Sequence, residues 1–378
     1  MNIAQIYRLD ATSNPLLSAF FSHCARAPQD VAIRCGGEDV SYAGLYATVA
    51  AFSAGLRSRG VSRGDIVAVG VDRDAQSIAL LLAIIANGAA YLPIVARRAD
   101  LRLVDVIEQT QPHLLIGDAA LRRSLPVKGQ WIERGALVSA ATDVEVVESG
   151  TLAYVLLGTG ASGHGGGVAM RTRAASALID WHRGHARLGK AVRTLQFAAL
   201  DNEIAFQEIF STLASGGMLV LAGDGERRDL SALLELLRRE RIERAFLPNP
   251  ILEMLAAVAA RRDEALPTSL LDVVTCGRQL QFTPELRALF AALRDCVLHI
   301  HFGPTRTEAV AAEELSAVSY NWPRAGAFAH MRLRDFVAHD SGGMRQRAQS
   351  AARTLALVRA AAAERERMAL QQARAHTA

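Results

Sequence analysis

From about residue 15 onward the chain alternates two kinds of apolar pattern. Short continuous runs read as buried strands, and stretches with apolar residues every three or four positions read as amphipathic helices. Residues 40–71, "VSYAGLYATVAAFSAGLRSRGVSRGDIVAVGV", show both. Leu45, Val49, Phe52 and Leu56 fall on one helical face, "GVSRGD" is loop chemistry, and "IVAVGV" has the β-branched content of a buried parallel strand. Before them lie a helix in "LLSAFFSHCARA", a strand in "VAIRC" and a turn at "GGED". The most apolar stretch, "SIALLLAIIANGAAYLPIVA", is interrupted by Asn87, Gly88 and Pro93. It therefore predicts a buried helix followed by a strand, not a membrane span. "LRLVDVIEQTQPHLLIGD" repeats helix then strand.

The alternation continues through the second half. Helices are predicted in "AASALIDWHRGH", "AFQEIFSTLASG" ending at Gly216, "LSALLELLRRERI", "PILEMLAAVAARRDEA" and "TPELRALFAAL". The last of these carries Thr283 as its cap and Pro284 at its first position. Strands are predicted in "RTLQFAAL", "GMLVLAG", "ERAFLPN", "LLDVVTCG" and "CVLHIHFG". Such alternation predicts an α/β fold with helices on the faces of largely parallel sheets. The pattern breaks near "SYNWPRAGAFAH". Beyond it, Met344, Ala348, Ala351, Leu355, Val358 and Ala362 form a thin apolar stripe, so residues 331–378 read as an Ala/Arg-rich helical tail. That tail is either a solvated helix lying on the body or a self-association helix.

Composition supports a folded body: 51% of the 378 residues are hydrophobic and 21% charged, enough for one large domain or two. The net charge of +4 is unevenly placed. From Met331 onward nine Arg face four acids, so the preceding residues are close to neutral and argue against a nucleic-acid partner. Cys24, Cys35, Cys276 and Cys296 have no metal-ligand spacing and read as idle thiols of a reducing cytoplasm. The N-terminus lacks a basic segment followed by an apolar one, so the expectation is a cytoplasmic protein without membrane contact.

The candidate chemistry centres on "GTGASGHGGG", residues 158–167, directly after the apolar "TLAYVLL". Glycine-rich loops after strands cradle phosphates through backbone N–H groups and local positive potential. Gly158, Gly160 and Gly163 keep the backbone open, and Thr159 and Ser162 add hydroxyls, but the loop carries no permanent positive charge; His164 is mostly neutral at pH 7. A Walker loop is excluded, because His164 and Gly165 stand where Lys and Ser or Thr belong. The same glycines satisfy the dinucleotide fingerprint, yet the acid expected some twenty residues on, Asp180, falls inside a predicted helix.

Over about residues 15–325 the order of segments resembles the adenylate-forming enzymes, and within them the adenylation domains of nonribosomal peptide synthetases. "VSYAGL" and "ANGAAYLPI" are similar to early motifs of that family, and "AYVLLGTGASGHGGGV" stands in the place of its phosphate loop "YTSGSTGxPKGV". "LQFAALDNEIAFQEIFSTLASGGMLVL", "LDVVTCGRQLQFTPELRALF" and "LHIHFGPTRTEA" resemble, in order, its "fDasvqEiFstLxxGgtlvl", "aGEqL" and "NxYGPTE" stretches. The resemblance implies two doubly wound α/β subdomains, a nucleotide site at Gly158–Gly160, Ser162–His164 and Phe302–Thr305, and activation of a carboxylate with ATP. It further implies that Phe302, with Gly303, Pro304 and Thr305, stands beside the adenine. Glu203 takes the place of the acid that meets a substrate ammonium, with Gln207 beside it; a solvated loop acid is the other reading of Glu203.

Several charged positions depart from the family pattern. Its loop lysine falls at Gly166, its metal-holding acid at Arg306, and the acid of "aGEqL" at Arg278. Unit charges about 4 Å apart interact by roughly 4 kcal/mol at an effective dielectric near 20, so Arg306 opposes Mg²⁺ instead of holding it. Arg306 then serves either as a surface arginine or as an anion-neutralising group. The only lysines, Lys128 and Lys190, match no catalytic position, and the family's ribose-binding Asp has no motif around Asp335 or Asp340. The expectation is a truncated adenylation core without catalytic or metal residues and without its C-terminal lid. It would bind ATP or AMP weakly and without Mg²⁺, with little ligase activity alone, as a partner, scaffold or remnant in nonribosomal-type biosynthesis beside a megasynthase or carrier protein. Two alternatives remain open: a ligase completed in trans by another chain, and a metal-free module for an anionic or acyl ligand centred on Arg306, Arg278 and the glycine loop.

Overall fold

The structure is a computed structural model and describes residues 14–70, 72–95, 101–137, 139–145, 147–157, 167–261, 266–276, 280–302 and 311–316. The tail over 331–378 lies outside them. In chain order the described strands are β1 (Val31–Cys35), β2 (Glu38–Ser41), β3 (Ile66–Gly70), β4 (Ala90–Ile94), β5 (Leu114–Ile116), β6 (Trp131–Ile132) and β7 (Leu152–Leu157). They continue as β8 (Gly167–Arg171), β9 (Arg193–Gln196), β10 (Met218–Leu221), β11 (Arg244–Phe246), β12 (Asp272–Cys276), β13 (Val297–Phe302) and β14 (Ala311–Ser316).

These strands form two sheets. The larger has the order β14-β13-β12-β11-β9-β10-β1-β2 and is parallel except at its edge strands β14 and β2. The smaller, β6-β5-β3-β4-β7-β8, is parallel except at β8. The protein is thus a mixed α/β fold with two sheets, as the alternating pattern predicts.

Strand periodicity explains how the layers join. In β3, Val67 and Val69 enter one apolar cluster while Ile66 and Ala68 enter another; in β10, Leu219 and Leu221 separate from Val220 in the same way. The shared cluster holds Ile33 and Leu219 of the larger sheet with Val67, Tyr91 and Tyr154 of the smaller. It is filled by three helices, Tyr42–Arg57, Ala75–Ala86 and Glu203–Ser215, which therefore lie between the sheets. Ala75–Ala86 is buried almost all round, as its uninterrupted apolar sequence requires, and Asp74 caps it by accepting from the Ser77 N–H at 2.7 Å. Leu45, Val49, Phe52 and Leu56 are all buried on the helix Tyr42–Arg57. Among the described residues no helix is long and apolar enough to cross a membrane.

Caps set the helix ends that position the site. Thr283 accepts from the Leu286 N–H at 3.2 Å with Pro284 at the first helical position. Gly216 ends Glu203–Ser215 in a left-handed conformation, φ 79°, that only glycine adopts without strain. The edge strands β8 and β14 and the short helices Ala119–Ser124 and Asp224–Arg228 have no counterpart in the sequence pattern.

Candidate functional site

The candidate segments leave the C-terminal ends of parallel strands, where open α/β sheets gather ligands. The glycine loop bridges β7 and the antiparallel β8, whose Leu157 and Gly167 are paired. Gly158, Thr159, Gly160, Ser162, Gly163 and His164 themselves lie outside the described residues. Phe302 closes β13 and pairs through its backbone with Ala311; Gly303, Pro304, Thr305 and Arg306, in the connection between them, also lie outside. So does Arg278, just beyond the end of β12 at Cys276. Among the described residues no group of three or more His, Cys, Asp or Glu is placed to hold a metal ion.

Glu203 and Gln207 are described, and both stand on the helix that follows β9. Asn202 caps this helix by accepting from the Ile204 N–H at 3.0 Å, which makes Glu203 its first residue rather than a loop acid. An acid there is favoured by the partial positive charge of the helix start. Glu203 is half-buried, and its charge is felt by the Tyr154 phenol and the Cys276 thiol, which burial and that charge both push up, the thiol to about 12. Tyr154 stacks on Phe206 with ring centroids 3.7 Å apart. The helix start is therefore seated between a strand of the smaller sheet and the end of β12 in the larger.

Two buried polar contacts hold that seat. Glu208, fully buried, accepts from the Gln196 Nε2 at 2.8 Å and from the Phe197 and Ala198 backbone N–H groups at 3.2 and 3.1 Å. Burial raises its carboxyl to about 7, against the opposing pull of these donors and of Arg73. Arg73, from the loop after β3, donates to the Gln196 Oε1 at 3.2 Å and the Ala198 carbonyl at 3.1 Å, tying the smaller sheet to the end of β9. Burial lowers its guanidinium to about 10.

One helical turn from Glu203, on the same face, Gln207 is buried beside His182 of the helix Thr172–Gly184. Around them stand His301 of β13, Trp181 and Phe246. The His182 ring lies 5.6 Å from that of His301 and 6.0 Å from that of Phe246, and Trp181 lies 5.4 Å from His301. His182 and His301 are 0% and 2% exposed; the Gln207 side chain hydrogen-bonds the His182 ring, while neither nitrogen of His301 has a partner among the described residues. Burial, the neighbouring His301 and Arg244 hold the His182 ring well below its ordinary range. Burial, His299 and His185 lower that of His301 to about 3. Both imidazoles are therefore neutral at pH 7.

At the other end of the same face of β13 the polar groups are anchored. Asp272 accepts from His299 Nε2 and Arg187 Nε, each at 2.9 Å, and pairs with the buried Arg244 at 3.4 Å. Burial would raise the Asp272 carboxyl, but the His299 and Arg187 hydrogen bonds and the Arg244 charge outweigh it and hold it at about 2.

Of the residues singled out from sequence, the structure brings Glu203 and Gln207 to one face of one helix. The sequence reading did not single out His182, His301 or Trp181. A signal for one of them is present in "LHIHF": alternate histidines on a strand whose neighbours require both faces to be buried.

Residues 20–330 match the AMP-binding enzyme family. The phenyloxazoline synthase MbtB of Mycolicibacterium paratuberculosis (strain ATCC BAA-968 / K-10) is 33% identical over 247 residues, covering 64% of this chain and 21% of that protein. The chain thus spans about a fifth of the length of that relative. A crystal structure of the nonribosomal peptide synthetase FmoA3, in its alpha-methyl-L-serine-AMP bound form, superposes with a TM-score of 0.72 at 25% identity, over 81% of this chain and 35% of that one. The N-terminal subdomain of Klebsiella oxytoca NpsA, in complex with 3-hydroxyanthranilyl-AMSN, shares the fold with a TM-score of 0.67 at 20% identity, over 83% of this chain and 78% of that one. The chain belongs to the AMP-binding enzyme family.

Proposed function

We propose that this chain is an adenylation-type domain that binds an amino-bearing carboxylic acid beside Glu203 and Gln207 but does not, by itself, carry out magnesium-dependent activation of that acid. Residues 15–325 form the binding body and residues 331–378 an accessory tail. The observation that carries the reading is the pair of charge changes at Gly166 and Arg306, where related enzymes place a lysine and an acid. A cation at the metal-holding position opposes Mg²⁺ by roughly 4 kcal/mol at about 4 Å. The glycines of 158–163 and the run Phe302–Thr305 keep the backbone of a nucleotide cradle, so ATP or AMP binds weakly and independently of Mg²⁺. The role that follows is that of a cytoplasmic partner in nonribosomal-type biosynthesis, acting with a larger synthetase chain or its carrier protein.

Amino-acid-dependent ATP–pyrophosphate exchange tests this directly. The purified chain is expected to show no exchange above background, and an ATP titration is expected to be unchanged by Mg²⁺. Robust exchange by the chain alone would overturn the reading. Exchange that appears only on adding a second chain carrying a lysine-bearing lid would favour a ligase completed in trans, a reading that the retained acid Glu203 supports.

A further inference from the structure

A surface helix carries charged or polar residues on the face turned to water, and a helix that is apolar all round is normally covered. The helix Leu230–Arg239 keeps this rule, with Glu235, Arg238 and Arg239 exposed. Its neighbour Asn249–Arg261 does not. Leu252, Leu255, Ala256 and Ala259 fill the apolar cluster against the larger sheet, whereas Ile251, Met254 and Val258, spaced by three and four, line the opposite face. Met254 is 54% exposed, the one large apolar side chain so placed among the described residues. Glu253, the only charged residue between Ile251 and Val258, is turned aside and accepts from the Gln281 N–H at 2.7 Å. The helix Pro284–Ala292 packs alongside, and its outward positions Ala288, Ala291 and Ala292 are exposed and uncharged. Together the two helices present a Met/Ile/Val ridge beside a floor of small residues, a surface that another helix can approach closely.

We propose that this surface is covered by the chain's own tail, which lies outside the described residues: the stripe Met344, Ala348, Ala351, Leu355, Val358 and Ala362 docks as a helix across Asn249–Arg261 and Pro284–Ala292 of the same molecule. The lengths match, since residues 344–362 span about 28 Å as a helix and Asn249–Arg261 about 20 Å. The stripe mixes large and small residues, as the surface does, so the ridges of one helix can enter the grooves of the other. The attachment point is also close. Ser316, at the end of β14, pairs with Val297 at the start of β13, shortly after the helix Pro284–Ala292 ends, so the chain leaves the larger sheet beside the patch. The roughly 28 residues from Ser316 to Met344 can reach up to about 90 Å, ample for the return. A tether of this kind holds the tail at an effective concentration on the order of mM, which favours it over a second copy of the chain at micromolar protein.

The test uses the full chain and needs neither nucleotide nor amino acid, so it is independent of the exchange assay. Met254→Cys is combined with Leu355→Cys, the protein is oxidised at low concentration, and the linked peptides are mapped by mass spectrometry. The native Cys24, Cys35, Cys276 and Cys296 are buried or half-buried, and the mapping separates any products they form. A link within one chain is expected between the two introduced thiols. It should form at least about tenfold faster than in Met254→Cys with Arg353→Cys, whose second thiol falls on the opposite face of the tail helix. Hydrogen exchange gives a second readout: amides over 344–362 are expected to exchange at least about tenfold faster in Met254→Glu, which places a charge in the ridge, than in the parent chain. Equal linking by the two thiol pairs, links between chains rather than within one, or tail exchange unchanged by Met254→Glu would each overturn the proposal.

Discussion

Burying His301 as a neutral ring gives the fold a dependence on pH that one substitution isolates. Its ordinary value of 6.5 is lowered to about 3, first by burial and then by His299 and His185. Between those values the unfolded chain binds a proton at this site that the folded chain refuses. Stability from His301 is therefore fully present above pH 6.5 and is lost as pH falls toward 3. Over the two units from pH 6.5 to 4.5 the loss approaches about 2.7 kcal/mol, at about 1.36 kcal/mol per unit. His182 adds a slope of the same sign. Glu208 contributes the opposite one, because its raised carboxyl favours the fold below 4.5 and that favour is lost as pH rises through about 7. The wild-type slope is thus a sum, and the difference between wild type and His301→Leu separates the His301 part. Urea unfolding at pH 7.5, 6.5, 5.5 and 4.5 measures it, with constant m-values as the check that only stability changed. Wild type is expected to lose about 2–3 kcal/mol more than the variant between pH 6.5 and 4.5. At pH 7.5 the variant should equal or exceed wild type, since two unpaired nitrogens are gone. Parallel stability–pH curves would refute the assignment of His301 as a buried neutral group.

Other perturbations probe the seat of the site. Glu208→Ala leaves three buried donors without their acceptor and is expected to destabilise by about 3–5 kcal/mol in urea unfolding. Gly216→Ala forces a left-handed residue at φ 79° and drives its Cβ into the buried His23 ring, so a loss of more than about 2 kcal/mol is expected by the same measurement. Thr283→Ala removes the cap that accepts from the Leu286 N–H and should lower stability by about 1 kcal/mol without altering ligand binding. The double change Gly166→Lys with Arg306→Glu is expected to make ATP affinity rise with Mg²⁺ in a calorimetric titration, where the parent chain shows no such dependence; no gain would argue that these positions do not face the phosphates.

The fold was largely legible because its determinants are local. Thr283 and Pro284 announce a helix start three residues before its first buried leucine, and Gly216 announces an end. Leu45, Val49, Phe52 and Leu56 disclose one face of a helix whose other turns pack on the shared core. The helix Ala119–Ser124 makes fewer than two turns, too few for an apolar face to repeat, and the edge strand β8 begins in the glycine run, which hides its alternation. Glu203 and Gln207 were legible as members of a motif, but their surroundings were not. His182 and His301 are far apart in sequence, and only the stacking of the helix Thr172–Gly184 over the ends of the parallel strands puts their rings within 5.6 Å.

The two histidines of β13 are paired differently on one strand face. His299 and His301 alternate with Leu298 and Ile300, which fill the apolar cluster on the opposite side. His299 is anchored by the Asp272 carboxylate at 2.9 Å, within a network that also engages Arg187 and Arg244. A polar residue buried with such a partner costs little and sets the strand register. Two positions farther along, toward the end of the strand from which the Phe302–Thr305 segment leaves, His301 has no such anchor. If burial of polar side chains on this face served packing alone, an apolar residue at 301 would serve better, as the Leu298 and Ile300 side already does. The unanchored ring is therefore expected to cost the fold stability, and urea unfolding of His301→Leu at neutral pH is the measurement that decides it.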